Sequence, residues 1–360
     1  MTVSAADLRI LARPAFWHRS TNPYTWLLYT HMMAADGVVV EGYHWRRLVR
    51  HRYDVLHLHW PEGHLNDPNP ARALRWSLSI LGLLRWARVR GTRIVWTIHN
   101  LHSHEGFHPR LEQRFWDAFL RCVDGYISLS HAGQDAALAR FPRLRRVPGF
   151  IVPLGDYREA YVGKVTKTAA RLQLGIDLHS KVLAFVGQVR PYKNVPRLVD
   201  AFRALTDPTL VLLVAGEAKS LKLGAQLQKM ARDDPRVRLH LGWIPDERLL
   251  SYLAAADLVV LPYTEVLNSG SALLALSFDR PVLVPEMGSL AELRELAGPE
   301  WVRTYTGVLT SGHLQEAVAW ALGVARSPQA PLDTLQWDRI AADTLAAYRS
   351  LLARVPVQHA

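Results

Sequence analysis

The segment Leu258–Pro285 constrains the fold of this chain most strongly. It reads LVVLPYTEVLNSGSALLALSFDRPVLVP. The apolar runs Leu258–Pro262 and Pro281–Val284 predict two buried strands, and the apolar spacing of Ala272–Phe278 predicts a helix between them. Because neighbouring parallel strands need a crossover connection, this order of strand, helix and strand predicts a parallel α/β sheet.

The polar turn before this helix is a candidate anion site. It consists of Asn268, Ser269, Gly270 and Ser271. Serine is a favoured N-cap residue, and glycine lets a ligand approach the backbone closely. The first turn of a helix also offers unpaired N–H groups and the positive end of the helix dipole. Ordinary helix capping accounts for the same residues, so the turn by itself leaves both interpretations open.

The alternation of strand and helix continues through the rest of the chain. Buried strands are predicted at Leu8–Leu11, Val38–Val40, Tyr53–His59, Arg93–His99, Gly125–Leu129, Ile151–Leu154, Lys181–Val186, Thr209–Ala215 and Val237–Leu241. A chain of 360 residues with 49% hydrophobic residues can bury two cores. We therefore predict an α/β protein with two parallel-sheet domains, residues 1–165 and 166–335, followed by an amphipathic helix in residues 336–360.

The positive charge is concentrated in the first half of the chain. Residues 1–160 contain 21 Arg, no Lys and 13 acidic residues, so they carry +8 of the total net charge of +11. This imbalance indicates an anionic partner, such as a lipid headgroup or a diphosphate. No nucleic-acid recognition motif accompanies the arginines, so nucleic acid is not an expected partner.

The segment Ala71–Arg90 is a predicted amphipathic helix with two interpretations. Leu74, Leu78, Leu81 and Leu84 are expected to share one face, and arginines and the rings of Trp76 and Trp86 flank it. Such a helix either lies on a membrane surface or covers one face of the parallel sheet. The start of the sequence lacks a signal peptide, and no apolar run is long enough to span a membrane. We therefore expect a cytoplasmic protein.

A second candidate anion site follows the first strand of the second domain. Gly187 ends the strand, and Arg190 and Lys193 follow it three residues apart. Gly187 permits close approach of the backbone, while the two cations suit phosphate oxygens. Ordinary surface cations are the alternative. Glu217 and Trp243 follow two further strands and are weaker candidates for contacts with the same ligand.

Motifs along nearly the whole chain resemble those of the GT-B glycosyltransferases. The sequence is most similar to the bacterial β-mannosyltransferases of xanthan and acetan assembly, glycosyltransferase family 94. The motifs are Thr21–Tyr24 with Leu28-Tyr29, Tyr53–Glu62, Thr97–Leu101, His104-Glu105, Arg190–Lys193, Val259–Tyr263, Asn268–Gly270, Leu273–Ser277 and Arg280–Leu283.

This resemblance implies two Rossmann-like domains whose parallel sheets face a central cleft. It implies that the second domain binds the nucleotide-sugar donor, GDP-mannose, and that no cofactor is needed. It also implies that the first domain binds a polyprenyl-diphosphate-linked or other glycan acceptor, on the inner face of the cell membrane, and that the last helix crosses back to that domain. The candidate acceptor-binding residues are Asn22, Tyr24, His57, His59, Trp60, His99 and Asn100.

The resemblance further implies inversion at the anomeric carbon without a metal ion. The sequence has no Asp-x-Asp motif. Many retaining GT-B enzymes carry two glutamates separated by seven residues, whereas here Glu265 is matched by Leu273. Inversion requires a general base. We expect Glu105 to be this base, oriented or assisted by His104. Glu62 is the second candidate, and His57 and His59 are lesser ones.

Two other functions remain open from the sequence. One is a retaining hexosyltransferase that uses a UDP-sugar, and the other is a non-catalytic subunit that binds a nucleotide sugar. A dinucleotide oxidoreductase is disfavoured, because neither domain's first strand is followed by a Gly-x-Gly-x-x-Gly motif.

Overall fold

A computed structural model of the protein describes residues 7–17, 19, 22–103, 105–161, 163 and 165–354. The chain divides into two compact units. The first comprises the chain up to Gly155 and from Thr334 onward, and the second is Asp156–Asp333. The sequence suggested a division at residue 165. The backbone N–H of Tyr157 donates to Ser277 Oγ (2.9 Å), and Arg158 pairs with Asp279, which ties the residues after 155 to the second unit.

The first unit is built on six parallel strands in the spatial order β2-β1-β3-β4-β5-β6. The strands are β1 (Leu8–Arg13), β2 (Val38–Gly42), β3 (Val55–Leu58), β4 (Arg93–Ile98), β5 (Gly125–Ser128) and β6 (Gly149–Ile151). The prediction of a last strand at Ile151–Leu154 is wrong. Strand β6 ends earlier because Pro153 has no N–H to donate, and the last bond of this ladder runs from Val152 N to Ser128 O (3.0 Å).

Among the described residues, five α-helices connect these strands. They are α1 (Tyr24–Met32), α2 (Trp45–Arg50), α3 (Pro70–Val89), α4 (Pro109–Phe119) and α5 (His131–Arg140). The side chain of Asn69 caps α3 by accepting from Arg72 N (3.1 Å), and Pro70 occupies the first helical position, where no N–H is needed. On the α4 side of the sheet, Trp96, Trp116 and Phe119 are fully buried and pack ring against ring.

Helix α3 covers the sheet with one face and exposes apolar side chains on another. Leu81 and Leu84 are buried, whereas Leu74 and Leu78 are exposed, so the predicted single leucine face is wrong. The face toward the sheet is formed by buried residues spaced three or four apart, namely Ala73, Ser77, Ile80, Leu84 and Ala87. Leu74 and Leu78 each follow a residue of this face by one position, so they lie about 100° around the helix from it. None of the described helices, α3 included, is long and apolar enough to cross a membrane.

The second unit also contains six parallel strands, in the order β12-β11-β10-β7-β8-β9. The strands are β7 (Lys181–Val186), β8 (Leu210–Ala215), β9 (Val237–His240), β10 (Leu258–Val260), β11 (Val282–Pro285) and β12 (Val302–Tyr305). The helices are α6 (Lys167–Gln173), α7 (Val195–Arg203), α8 (Leu221–Ala231), α9 (Asp246–Ala255), α10 (Gly270–Ser277), α11 (Ser289–Ala297) and α12 (Ser311–Gly323). Strand β12 was not predicted, since it is a short edge strand with two half-buried polar residues.

The last helix, α13 (Trp337–Ala353), belongs to the first unit and packs against α1. Its face with Trp337, Ile340, Leu345 and Tyr348 is buried. The prediction of two Rossmann-like domains with parallel sheets is confirmed. In each sheet the strand order reverses next to the unit's first strand, between β1 and β3 and between β7 and β10. Open α/β sheets bind ligands beyond the carboxyl ends of the strands at such a switch point.

Candidate functional site

The loop after β7 lies directly beside the first turn of α10 in the second unit. Gly187 has φ +133°, and a Cβ added there would lie 2.9 Å from Ser271 Oγ and 3.4 Å from Lys193 Nζ. Any larger residue would therefore push against both side chains. Two of the predicted donor-binding features, the Gly187–Lys193 run and the Asn268–Ser271 turn, are thus brought together at the switch point between β7 and β10.

Lys193 is positioned among aromatic side chains at this edge. Its Nζ lies 6.0 Å from the ring centroid of Phe185 and 5.6 Å from that of Tyr263. The backbone N–H of Thr264 donates to Tyr192 O (2.8 Å), which holds the lysine loop against the loop after β10. Burial lowers the pKa of Lys193, because a desolvated ammonium lacks the stabilisation of water. An anionic ligand would supply the missing stabilisation.

The first turn of α10 is capped and stiffened by hydroxyl groups. Ser269 Oγ accepts from Ala272 N (3.1 Å), and the phenol of Tyr263 lies close to Ser269 and Ser271. Burial raises the pKa of Tyr263, so this phenol is neutral. Gly270 opens the helix, and an added Cβ would lie 3.0 Å from the hydroxyl of Tyr157. The sequence predicted the turn but not the two tyrosines around it.

The other predicted donor-binding residues lie in loops that follow strands of the same sheet. Arg190 is half-buried, and its Nε donates to Gln188 Oε1 (3.2 Å). Glu217 follows β8 and pairs with Lys219 (2.5 Å). Trp243 follows the edge strand β9 with its side chain 60% exposed, so it is not part of the core. Asn268 is half-buried beside the N-cap of α10.

In the first unit, two of the predicted acceptor-binding histidines are completely buried. His57 Nδ1 lies 2.8 Å from Tyr29 Oη and 2.5 Å from Tyr348 Oη, and its Nε2 lies 2.7 Å from Thr97 Oγ1. Burial lowers the pKa of His57 to about 3 and that of His59 well below its ordinary value, so both rings are neutral near pH 7. Both rings are hydrogen-bonded to other side chains inside the first unit, so they do not face an acceptor.

His99 links this buried network to the carboxyl edge of the sheet. Its Nε2 lies 3.0 Å from His59 Nδ1, and its half-buried ring stacks on Trp60 with centroids 4.3 Å apart. Tyr24 is buried edge-on against His99 and Trp337, where burial raises its pKa far above the ordinary value. Burial likewise lowers the pKa of His99 to about 3. His99 is therefore a neutral, oriented side chain at the end of β4.

Glu62 has a buried carboxyl group at the carboxyl edge of the first unit's sheet. It lies in the 3-10 turn Pro61–Asn66 after β3, is 2% exposed, and accepts a hydrogen bond from Asn100 Nδ2 at Oε1 (3.0 Å). Burial raises the pKa of Glu62 to about 7, and the hydrogen bond from Asn100 offsets part of this effect. A carboxylate with this pKa changes its protonation state near neutral pH.

The first predicted base, Glu105, has a different environment. Its side chain is exposed, and its backbone N–H donates to Asn66 Oδ1 (3.0 Å), which anchors the loop after β4 to the turn that contains Glu62. His104, its predicted assistant, lies outside the described residues. Within the part of the chain that the structure describes, no three His, Cys, Asp or Glu side chains are grouped as metal ligands.

A cavity of about 510 Å³ opens at the carboxyl ends of β1, β2 and β3. Predicted acceptor residues Asn22 and Trp60 line it, and Asn22 Oδ1 also accepts from Tyr24 N (3.2 Å) at the start of α1. Arg13 and Tyr43 line it as well, and sequence reasoning missed both. A signal existed: each directly ends or follows a strand at the switch point of the sheet, but neither forms a motif with its sequence neighbours.

The chain is similar to known glycosyltransferases. Residues 180–323 match the model of the family described as glycosyl transferases group 1. The chain is 32% identical over 329 residues to the GDP-mannose:glycolipid 4-beta-D-mannosyltransferase of Xanthomonas campestris pv. campestris. That alignment covers 89% of this chain and 86% of the relative.

Solved structures share the same architecture. Sucrose-phosphate synthase from Thermosynechococcus elongatus has a TM-score of 0.67 at 16% identity, covering 96% of this chain and 99% of the other. Anabaena HepE in complex with UDP-glucose has a TM-score of 0.64 at 17% identity, covering 95% of each chain. At such identities these structures show the fold alone.

Two doubly wound parallel units, each with polar side chains at its switch point, together with these matches define a GT-B glycosyltransferase. The chain is an enzyme of the hexosyltransferase class. It belongs to the family of the GDP-mannose:glycolipid 4-beta-D-mannosyltransferase of Xanthomonas campestris, and its residues 180–323 match the group 1 model.

Proposed function

We propose that this enzyme transfers mannose from GDP-mannose to a lipid-linked glycan, with inversion and without a metal ion, in polysaccharide biosynthesis. The cluster of Gly187, Lys193 and the first turn of α10 carries the proposal, because it offers a cation and helix N–H groups at one switch point. The 32% identical relative is a GDP-mannose:glycolipid mannosyltransferase, which supports mannose as the sugar and a glycolipid as the acceptor.

The donor chemistry follows from the charge of the leaving group. When the bond between the anomeric carbon and the diphosphate breaks, the electron pair stays on the diphosphate oxygen. Lys193 and Arg190 then stabilise this charge, and the N-terminal dipole of α10 adds to them. Gly187 provides the space for the diphosphate, since a side chain there would fill the gap between Lys193 and Ser271.

Inversion is supported by the residues that replace the glutamate pair of retaining enzymes. Leu273, at the second position of that pair, is buried in α10 and has no polar atom to offer a sugar. Glu265 is exposed in the loop before α10. The proposed reaction is therefore a single displacement, in which the acceptor hydroxyl attacks the anomeric carbon opposite the departing diphosphate.

We propose Glu62 as the group that receives the proton of this hydroxyl. Its pKa of about 7 supports this role, because a base works best when its pKa lies near the operating pH. Sequence reasoning put Glu105 first, and its exposed side chain keeps it as the alternative. In this assignment Asn100 is a positioning residue that orients the Glu62 carboxylate through their hydrogen bond.

We further propose that the first unit rests on the anionic inner face of the cell membrane. Leu74, Leu78, Trp86 and Val89 on α3 are exposed near Arg75 and Arg85. Apolar side chains surrounded by arginines match the chemistry of an anionic lipid surface. A lipid-linked acceptor would bring the enzyme to that surface.

The donor assignment is tested by calorimetric titration with GDP-mannose. We expect Lys193→Met to weaken binding about ten- to a hundredfold, the usual contribution of a charge-assisted hydrogen bond. Lys229→Met is the matched control, because Lys229 is an exposed lysine on α8 of the same unit. If the wild type binds UDP-glucose but not GDP-mannose, the proposed donor is wrong. Equal affinity of the Lys193 and Lys229 variants would contradict the proposed site.

A further inference from the structure

The first unit contains a second buried carboxylate, Glu112, in the first turn of α4. Its Oε1 accepts from Ser103 N (2.8 Å) and from Trp116 Nε1 (3.3 Å), and its Oε2 accepts from Ser103 Oγ (2.5 Å). Burial would raise the pKa of Glu112, but these hydrogen bonds outweigh the effect of burial and lower it. Glu112 is therefore ionised near pH 7.

Through Ser103, Glu112 holds the loop that carries the hydrogen-bond partner of Glu62. Ser103 lies three residues after Asn100, whose Nδ2 donates to Glu62 Oε1 (3.0 Å). Hydrogen bonds to an ionised acceptor are about twice as strong as those between neutral groups. Because both oxygens of Glu112 accept from Ser103, the loop is fixed at a point close to Asn100. A movement of Ser103 would reach Asn100 through only two intervening residues.

Glu62 and Glu112 form a pair in which one carboxyl group ionises before the other. Burial is the main cause of the raised pKa of Glu62, the hydrogen bond from Asn100 opposes it, and the negative charge of Glu112 adds to it. Glu112 accepts three hydrogen bonds and loses its proton first. Its charge then disfavours a second charge on Glu62, which helps to keep the pKa of Glu62 at about 7.

Other titratable groups at this edge of the sheet are neutral, exposed or paired. Burial lowers the pKa values of three histidines, so they are neutral near pH 7, namely His59, His64 and His99. The charge of Arg13, at the end of β1, adds to the effect on His64. Charged or titratable groups on the neighbouring loop and on α3 are exposed or paired with each other, namely His102, Glu105 and the ion pair of Asp67 with Arg72. Glu112 is thus a buried, ionised group whose removal should change the protonation of Glu62.

We propose that Glu112 is a positioning residue for the base of this transferase: its carboxylate fixes the loop after β4 and thereby holds Asn100 against Glu62. This inference rests on the proposed function, because it assigns a support to the base named there. The charge of Glu112 also raises the proton affinity of Glu62, and a base with a higher proton affinity draws the proton from a hydroxyl more strongly. No motif of the sequence indicated Glu112.

Carboxyl-carbon NMR of the full-length protein, labelled at the glutamate side chains, tests the pair without any reaction. The Glu62 signal is assigned by its absence from the Glu62→Gln spectrum, and its titration midpoint in the wild type is expected at about pH 7. Glu112→Gln keeps the shape of the side chain and its contacts with Ser103 but not the charge, so the Glu62 midpoint is expected at lower pH. An unchanged or higher midpoint in this variant overturns the proposal.

Asp117→Asn is the matched control for this titration. Asp117 is an exposed carboxylate on the same helix, α4, so the substitution removes the same charge from a position where water screens it. We expect the Glu62 midpoint of this variant to equal that of the wild type. A shift as large as that of Glu112→Gln would mean that the net charge of the unit, and not Glu112, controls Glu62, and it would overturn the proposal.

Single-turnover rates with GDP-mannose and a lipid-linked glycan test the anchoring of the loop. Glu112→Ala removes the anchor, and we expect its rate at high pH to fall roughly ten- to a hundredfold, since small misplacements of catalytic groups are costly. Glu112→Gln is expected to restore most of this loss. If Glu112→Ala does not fold, Ser103→Ala decides, because it removes one hydrogen bond of the same anchor and should also lower the rate. A wild-type rate in the folded anchor variant overturns the proposal.

Two further measurements separate this inference from the proposed function. The Glu112 variants are expected to keep wild-type affinity for GDP-mannose, since the donor residues lie in the second unit. Normal turnover of Glu62→Gln would contradict the proposed base, whatever its NMR midpoint. An unchanged Glu62 midpoint in Glu112→Gln, together with lost turnover in Glu62→Gln, would contradict the role of Glu112 alone.

Discussion

Burial sets the chemistry of the single residues that matter most in this enzyme. Glu62 and Glu105 are both glutamates after strands of the same sheet, and burial raises the pKa of Glu62 to about 7. Lys193 is a second case, because burial lowers its pKa and prepares it for an anion. Residue types and their spacing are visible in the sequence, but they do not determine how deeply a side chain is buried.

The role proposed for Glu62 predicts a loss of turnover. The Glu62→Gln variant cannot accept the acceptor's proton, so single-turnover rates should fall roughly 10²–10⁴-fold while GDP-mannose affinity survives. The wild-type rate should rise as the pH passes through about 7, where the carboxylate forms. Glu105→Gln is the matched control. If Glu62→Gln keeps a near-normal turnover rate and Glu105→Gln loses it, Glu105 is the base and Glu62 is not.

The same substitution should change stability in a pH-dependent way. The folded pKa of about 7 lies above the ordinary value of 4.5, so the folded state holds the proton more tightly and loses stability as the pH rises from 4.5 through 7. The Glu62→Gln substitution removes this loss, which is at most roughly 3 kcal/mol at about pH 8. Thermal unfolding should therefore show stabilisation of the variant at about pH 8 and little change below about pH 5.

Arg13 shows why part of the site could not be predicted at the residue scale. Its neighbours Tyr43 and Trp60 come from the ends of two other strands, and only the strand order brings them together. Lys193 was predictable because Gly187 lies close to it in sequence. The burial of both His57 and His59 was not predictable, since it depends on Tyr29 and on Tyr348 from the last helix.

At the scale of elements, predictions succeeded where the apolar pattern was continuous. Strand β7 was predicted at its observed bounds, and the strand, turn, helix and strand of Leu258–Pro285 were all found. Strand β12 was missed because an edge strand needs no continuous apolar run. Helix α3 was predicted, but which leucines face the sheet depends on the angular position of each residue.

The exposed face of α3 predicts binding to anionic lipid. Leu78 is 62% exposed, and Leu78→Asp should weaken co-sedimentation with anionic liposomes, because a carboxylate neither inserts into the lipid surface nor is attracted by its charge. Leu221→Asp in the second unit is the control, since Leu221 is 94% exposed on α8. Raised salt should weaken wild-type binding through screening. Equal binding to neutral and anionic liposomes would contradict the electrostatic part of this account.

At the scale of the whole molecule, the sequence predicted two parallel α/β units and their order along the chain. The alternation of strands and helices carries this information, because each crossover needs a helix. The place where the chain leaves the first unit was less predictable, since it depends on the contacts of Tyr157 and Arg158 with the second unit. The strand orders that create the two switch points became visible only in the structure.

The configuration of the transferred sugar tests the central claim most directly. Full-length enzyme is incubated with GDP-mannose and a lipid-linked glycan acceptor, and the one-bond carbon–proton coupling at C1 of the new mannose residue is measured by NMR. The donor is an α-linked sugar, so a single displacement that uses a base of the first unit predicts a β-linked product. An α-linked mannose would contradict inversion and the role of Glu62 as the base.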